Sequence, residues 1–419
     1  MVDQLSIFDL MYDKYKITKP IRLIELFSGY GSQALALKYL GVDFIHWHIC
    51  EWATKSIQAY NDLHIRDYTD YSKGLTTDAI VERLAAYGIS MDYNKPMTLA
   101  QIKRKGEAWQ RKTYNNIIAT HNLVDISKVK AKDLNIIDTD KYEYILTYSF
   151  PCQDLSKEGK KQGMSKASNT RSGLLWQVER ILNECENLPQ VLIMENVPQV
   201  LNADFILWQQ YLEKLGYKNN YKLLKAVNYS IPQARERVFM ISILGGYFST
   251  FPKKQKMKLN VKDILELKID FNKYQVKENI MQQLIVLNTP NEIGLRNGTK
   301  KGYQLIKKYQ CFNTAFPKSN SRRGRVTGNI APTLMTLKLI AIYTDQGFRY
   351  LTAKEYFKLM GVKPNDFNKI SVNQTENSLY HLAGDSIVTT ILIAIFGELL
   401  GLDYETKIAE VVEELKECS

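Results

Sequence analysis

The chain has 419 residues, of which 45% are apolar and 24% charged, and its formal charge is +12. That length supports one large core and a smaller one, the balance is that of a globular chain and not a disordered one, and the basic excess suits a polyanionic partner, since each phosphate neutralised releases counterions. The five cysteines, Cys50, Cys152, Cys185, Cys311 and Cys418, are widely spaced and form no C-x-x-C pair, which argues against a disulfide framework and against a zinc site.

Residues 1–20 lack the basic-then-apolar form of a signal peptide. The best candidate for a membrane span, Ile387 to Leu400, is short and broken by Thr389, Thr390, Gly397 and Glu398. The expectation is a cytoplasmic chain with reduced thiols and no membrane partner. Residues 21–245 alternate between short apolar runs and helical patterns, which predicts a mostly parallel sheet covered on both sides. Arg22–Leu26 is the first strand. It runs into Phe27-Ser28-Gly29-Tyr30-Gly31, and a helix follows to Leu40, with Gly41 as its stop. Phe44–Cys50 is the second strand and ends at Glu51. Residues 65–120 break the rhythm with polar and basic stretches and read as a partly helical insertion. Tyr144–Tyr148 is the next strand, a helix runs from Gly173 to about Asn187, and Val191–Met194 and Val238–Ile243 are further strands. From 246 to 330 the alternation fades and basic clusters appear: Lys253-Lys254-Gln255-Lys256, Lys300-Lys301, Lys307-Lys308 and Arg322-Arg323-Gly324-Arg325. An apolar helix runs from Val388 to Leu400, and the tail is acidic.

Three kinds of loop carry chemistry. The glycine turn lets backbone approach a ligand at a helix N-terminus, and Glu51, 22 residues after Gly29, stands where a doubly wound fold puts the carboxylate that binds ribose hydroxyls. Trp52 beside it suits stacking on an adenine. Together they favour an adenosine-type cofactor without naming it; a nicotinamide-dependent oxidoreductase fits the turn but leaves Cys152 unexplained. Cys152 lies past a strand end in Ser149-Phe150-Pro151-Cys152, where a lowered thiol pKa makes a nucleophile. Glu195 closes another strand at the same sheet edge. Gln233, Arg235 and Arg237, if extended, share one face by the period of two. An acid, a thiol and two guanidiniums at one edge suit attack on an electron-poor, hydrogen-bonding ring.

These loops, in this order, resemble the motifs of the cytosine-5 DNA methyltransferase family over nearly the whole chain. Phe27, Ser28, Gly29 and Gly31 resemble its cofactor loop, Glu51-Trp52 its ribose and adenine contacts, and Asp125-Ile126 the pair flanking the adenine. Phe150-Pro151-Cys152-Gln153 resembles the nucleophile loop, Glu195-Asn196-Val197 and Gln233-x-Arg235-x-Arg237 the next two catalytic motifs, and Thr327 to Leu334 the motif closing the target-recognition region. Leu351-Thr352 through Gly361 resembles the stretch after it. Gly384-Asp385-Ser386-Ile387 resembles the last motif, where the family usually has Asn in place of Asp385. Ser149 to Leu182 is also closely similar to the mollicute CpG methyltransferases.

The resemblance implies a Rossmann-like α/β fold of the S-adenosylmethionine-dependent methyltransferase type with a smaller target-recognition domain. It implies a catalytic domain at 1–245, a recognition domain at 246–379 and a returning segment at 380–419. Its implied catalytic residues are Cys152, Glu195, Arg235 and Arg237. S-adenosylmethionine would be held by Phe27, Ser28, Gly29, Gly31, Glu51, Trp52, Asp125, Ile126, Pro151, Leu175, Asp385 and Ser386. DNA contacts fall on Gln153, Ser156, Gln233 and Thr333, and no metal is needed. The partner is double-stranded DNA, bound by a monomer of bacterial or phage origin. An RNA cytosine-5 methyltransferase and a non-catalytic DNA-binding relative are the alternatives; the large basic region favours the first reading over RNA.

Overall fold

The computed structural model describes residues 15–151, 171–248, 250–290, 292–319 and 324–416. Its contacts divide the chain into two compact units, one of Met1–Leu224, Arg237–Lys253 and Leu392–Tyr404, the other of Lys225–Glu236, Lys254–Ile391 and Glu405–Ser419.

The first unit is built on six strands: β1 (Ile21–Leu26), β2 (Phe44–Cys50), β3 (Glu143–Tyr148), β4 (Val191–Asn196), β5 (Tyr217–Lys225) and β6 (Glu236–Leu244), in the order β2-β1-β3-β4-β6-β5. Neighbours from β2 through β4 run parallel, and β6 is antiparallel to β4. Every residue of β1, β3 and β4 is buried. Strands covered on both faces favour apolar residues at most positions, which is why they read as apolar runs, broken by buried polar residues such as Arg22 and Glu25 in β1 and Thr147 in β3. Strand β5 was not expected. Its sequence, YKNNYKLLK, is mostly polar and exposed, as befits an edge strand whose lysines deter pairing with another chain.

The connecting helices include Ser32–Leu40, which ends at Gly41 with φ 74 and the Gly41 N–H bonded to the carbonyls of Leu37 and Lys38. Helix Leu175–Glu184 buries Leu175, Val178, Ile181 and Leu182. It starts two residues later than the periodicity suggested, after a short 3-10 turn at Arg171–Leu174. The insertion folds into three helices, Thr77–Tyr87, Leu99–Lys103 and Glu107–Ala119. They enclose their own core of Ile80, Leu84, Ile102, Tyr114 and Ile117, with Trp52 packed against it. Thr76 and Thr98 cap the first two helices through their side chains, meeting N–H groups that have no partner within a helix.

The second unit holds two three-stranded antiparallel sheets. One is β7 (Ile285–Asn288), β8 (Ile293–Arg296) and β9 (Tyr303–Ile306); the other is β10 (Cys311–Asn313), β11 (Ile340–Thr344) and β12 (Gly347–Tyr350). Leu284, Leu295, Phe312 and Ala341 are fully buried in its core. Sequence contiguity assigns 225–236 to the catalytic domain, whereas the contacts group it with this unit. The Ala234 N–H donates to Ala331 O at 2.8 Å and the Ala331 N–H to Pro232 O at 2.7 Å. The acidic tail is helical over Tyr404–Lys416. Among the described residues no single helix is long and apolar enough to cross a membrane.

One ion pair anchors the second unit. Arg349 donates to both oxygens of Glu355, at 2.8 and 2.7 Å, and both side chains are buried. The same carboxylate accepts the N–H groups of Thr352 at 2.8 Å and Glu266 at 2.9 Å. Removing one partner of such a pair strands a buried charge. Glu355→Ala is expected to destabilise this unit by about 3–5 kcal/mol, measured by denaturant unfolding; a loss below about 1 kcal/mol would match an exposed pair instead.

Candidate active site

The register of the first unit brings the strand ends into one line. Leu26 lies beside both Cys50 and Tyr148, Tyr148 beside Met194, and Asn196 beside Val238. Phe27, Glu51, the Ser149–Pro151 loop, Glu195 and Arg237 therefore all sit at one edge of the sheet. The chain leaves β1 for β2 on one side and returns to β3 on the other, so the crevice for a ligand opens beyond the carboxyl ends of β1 and β3.

The turn after β1 is shaped for close approach. Phe27 holds φ 59, an uncommon conformation for a residue with a side chain, and its N–H donates to Cys50 O at 2.8 Å. Gly29 has φ 56, and a Cβ built there meets nothing within 4 Å, so its outer face is open. The Gly29 N–H donates to Glu51 Oε2 at 3.0 Å and the Ala53 N–H to Glu51 Oε1 at 2.8 Å. A carboxylate accepts about four hydrogen bonds, so two amides do not exhaust it. Ser28 is buried, and its Oγ has no hydrogen-bond partner. An orphaned hydroxyl of this kind costs free energy unless a ligand or water meets it.

The other expected cofactor residues differ in placement. Trp52 is half-buried against the insertion core. Asp125 accepts from the Ser127 N–H and Oγ and pairs with Lys128 at 3.5 Å. Ile126 is buried in the core and Pro151 is half-buried. Leu175 is 0% exposed within the core. Asp385 and Ser386 belong to the second unit. There Asp385 Oδ2 lies 3.3 Å from His381 Nδ1, and Ser386 Oγ donates to Ala383 O at 3.1 Å.

Glu195 and Arg237 meet at the sheet edge. Glu195 pairs with Phe239 in the β4–β6 register, which makes Arg237 its diagonal neighbour on the same face. Arg237 Nε lies 3.0 Å from Glu195 Oε1, with side-chain exposures of 15% and 9%. The next residue, Asn196, donates from Nδ2 to Phe150 O at 3.0 Å and accepts the Val197 N–H at 2.8 Å. It thus ties the loop leading to Cys152 to the end of the strand bearing Glu195. The sequence placed Asn196 in a motif without a role; an amide next to a strand-end acid was its only signal.

Arg235 and Gln233 depart from expectation. Arg235, expected among the catalytic residues, is 3% exposed. Its guanidinium donates to the carbonyls of Leu334 at 3.4 Å, Gly384 at 3.0 Å and Ser386 at 2.7 Å. Gln233, expected at DNA, is 0% exposed. It donates to Leu359 O at 2.7 Å and accepts the Leu334 N–H at 3.1 Å. Both staple the second unit together. Thr333 Oγ1 donates to Ala234 O at 2.6 Å and remains near the surface.

Cys152, Gln153 and Ser156 lie outside the described residues. The described cysteines are Cys50, Cys185 and Cys311. Burial pushes the Cys185 thiol up to about 11 and those of Cys50 and Cys311 well above the usual range, so none of the three is a thiolate near neutrality.

A model of the C-5 cytosine-specific DNA methylase family matches residues 88–401. The orphan methyltransferase M.SssI of Spiroplasma monobiae is 31% identical over 397 residues, covering 92% of this chain and 98% of its own. The chain belongs to the C-5 cytosine-specific DNA methylase family. A second family member, the type II methyltransferase M2.ScrFI of Lactococcus lactis subsp. cremoris, is 32% identical over 395 residues, covering 90% of this chain and 99% of its own. The solved Dnmt2 methyltransferase of S. pombe shares the fold, with a TM-score of 0.54 at 20% identity over 91% of this chain and 98% of its own. The methylase acts on DNA and takes its methyl group from S-adenosylmethionine. The open face at Gly29, the acceptor Glu51 and the orphaned Ser28 hydroxyl fit that cofactor's adenosine and amino-acid ends.

Arg235→Ala is expected to lower the stability of the second unit by about 3 kcal/mol, because three buried carbonyls lose their donor. DNA affinity measured against salt distinguishes the roles: a phosphate contact would instead flatten the salt slope by about one without changing the melting temperature.

Proposed function

We propose that the edge formed by the β3 and β4 loops and the start of β6 methylates carbon 5 of a cytosine flipped out of duplex DNA, with Cys152 as nucleophile and Glu195 and Arg237 as its partners on the ring. The observation that carries this reading is the Glu195–Arg237 pair at 3.0 Å beside a loop fixed by Asn196. A cytosine inside a duplex is out of reach, so it must leave the stack.

The Cys152 thiolate adds to ring carbon 6, and its electron pair becomes the new sulfur–carbon bond. Glu195 hydrogen-bonds ring nitrogen 3 and the exocyclic amine, and delivers a proton to nitrogen 3 as the thiol adds. Arg237 turns from Glu195 to the carbonyl oxygen at ring position 2. Carbon 5 is then nucleophilic, and bound S-adenosylmethionine supplies the methyl group it takes. A water molecule removes the carbon 5 proton, the electron pair released expels Cys152, and nitrogen 3 returns its proton to Glu195. Phe27, Ser28, Gly29, Gly31, Glu51 and Trp52 hold the cofactor in this reading, with Asp125, Ile126 and Pro151 beside it; the resemblance assigns Asp385 and Ser386 to the cofactor as well. Gln153, Ser156 and Thr333 contact DNA.

A basic surface in the second unit supports a duplex partner. Arg296, Asn297, Thr299, Lys301 and Tyr303 line a concavity of about 450 Å³ at the β8–β9 turn, and Arg296, Lys300 and Lys301 are exposed. The finer reading is a monomer that modifies one short DNA sequence chosen by the divergent region 246–330; a role in a phage or beside a restriction enzyme is compatible with it.

The test is methyl transfer from labelled S-adenosylmethionine to unmethylated duplex DNA, followed by bisulfite sequencing, where methylated cytosines in one short context are expected. Transfer to tRNA and none to DNA would overturn it. Cys152→Ser is expected to abolish turnover while DNA binding persists, because a serine hydroxyl is a far weaker nucleophile at neutral pH. Glu195→Gln is expected to lower the rate by about 10²-fold or more and to leave cofactor affinity intact by calorimetry. Ordinary turnover by either variant would remove that residue from the mechanism.

A further inference from the structure

Behind the glycine turn lies a buried polar chain that the methyl-transfer chemistry does not use. Glu25, the next-to-last residue of β1, is 0% exposed, and Tyr60, the last residue of helix Thr54–Tyr60, is 1% exposed. The Tyr60 hydroxyl donates to Glu25 Oε2 at 2.6 Å. His46 Nδ1, on β2, lies 2.8 Å from the same hydroxyl. Glu25 Oε1 accepts the N–H of Ala34 at 3.3 Å, in the first turn of helix Ser32–Leu40. One tyrosine hydroxyl therefore joins β1, β2 and two helices.

The chain is satisfied in either proton state. Burial pushes the Glu25 carboxyl up to about 7 and pulls the His46 imidazole down to about 4. When Glu25 is ionised, Tyr60 donates to it and His46 donates to Tyr60. When Glu25 is protonated, it donates to Tyr60 and Tyr60 donates to His46. The hydroxyl is the member that both arrangements need.

The chain also presses on the turn. A Cβ built on Gly31 would lie 2.6 Å from Tyr60 Cε2 and 2.6 Å from His64 Nε2, so the glycine backbone rests directly on these two rings. His64 Nε2 lies 3.0 Å from Tyr30 O, inside the turn. Tyr60 and His64 come together, with ring centroids 4.8 Å apart, where the helix widens into a π-helical turn at Asn61–Ile65. Such turns are rare and concentrate at functional sites.

We propose that Tyr60, fixed by Glu25 and His46, is a positioning residue for S-adenosylmethionine: together with His64 it sets the backbone of Phe27–Gly31 from behind, while Glu51 holds Gly29 from the other side. The inference rests on the reading that this turn holds the cofactor. Tyr60 touches no reacting atom, so its effect belongs in cofactor affinity and not in the chemical step.

The test measures S-adenosylhomocysteine binding by calorimetry on the full chain, together with melting temperature, KM for S-adenosylmethionine and kcat at saturating cofactor and DNA. Tyr60→Phe keeps the ring and deletes the hydroxyl. Tyr217→Phe, which deletes the buried hydroxyl that donates to Pro189 O at 2.6 Å on edge strand β5, is the control for a generic buried loss. Tyr60→Phe is expected to weaken binding about ten-fold and raise KM in step, with kcat changed less than about two-fold. Tyr217→Phe is expected to lower the melting temperature comparably and leave affinity alone. Glu25→Gln, whose amide still accepts from Ala34 and bonds Tyr60, is expected to retain most of the affinity that Glu25→Ala loses. Equal effects of Tyr60→Phe and Tyr217→Phe, or unaltered affinity in Tyr60→Phe, would overturn the proposal. Glu51→Gln and Ser28→Ala report on the underlying reading: if they weaken binding and Tyr60→Phe does not, the turn holds the cofactor without help from Tyr60. If none of the three variants matters, both readings fail.

Discussion

Strand β1 has β2 on one side and β3 on the other, and every loop that bears chemistry in the first unit depends on that arrangement. Parallel neighbours put their carboxyl ends at the same edge, and connections that depart in opposite directions leave a space there that no side chain of the sheet fills. The antiparallel β6 adds its beginning to that edge instead of its end. That is how Arg237, far along the chain, comes to lie beside Glu195. The strain at Phe27 and the open face of Gly29 are held by this framework: Phe27 bonds to the end of β2, and Gly29 bonds to the acid just past it.

The charged groups of the molecule serve two different ends. Arg349 with Glu355, and Arg235 with its three carbonyls, are buried; they tie separate backbone segments of the second unit together. Glu195 and Arg237 retain some exposure at an edge where a ligand can reach them. Burial without exchangeable partners makes a staple, whereas a pair at a crevice can trade its partner for a hydrogen-bonding ring. Lys308 shows the same contrast on the surface: its pair with Asp345 at 2.5 Å neutralises part of one basic cluster, while Lys300 and Lys301 stay exposed at the β8–β9 turn.

Much of the first unit was legible because its central strands are buried on both faces and mostly apolar. The glycine turn and Glu51 were legible because each follows an apolar run directly, and Glu195 because it interrupts the end of one. Strand β5 was not, since an edge strand with lysines carries no apolar signal. Arg235 shows a different failure. The period of two put it on one face with Arg237, but β6 begins only at Glu236. Residues 232–234 are instead bonded to Ala331, so the alternation breaks between the two arginines. Leu175, assigned to the cofactor by the resemblance, lies on the apolar face of its helix and is buried in the core.

The sequence by itself determined the family, the chemistry of the loops and the order of the main strands, because residue type, spacing and apolar runs are local properties that survive in one dimension. Only the tertiary structure decided which of those side chains face the crevice and which are consumed as staples. It also decided that the polar insertion has a core of its own, and that Glu25, Tyr60 and His46 meet behind the glycine turn. Those outcomes depend on contacts between segments far apart in the chain, where burial and hydrogen-bond satisfaction are settled by packing and not by any pattern within a segment.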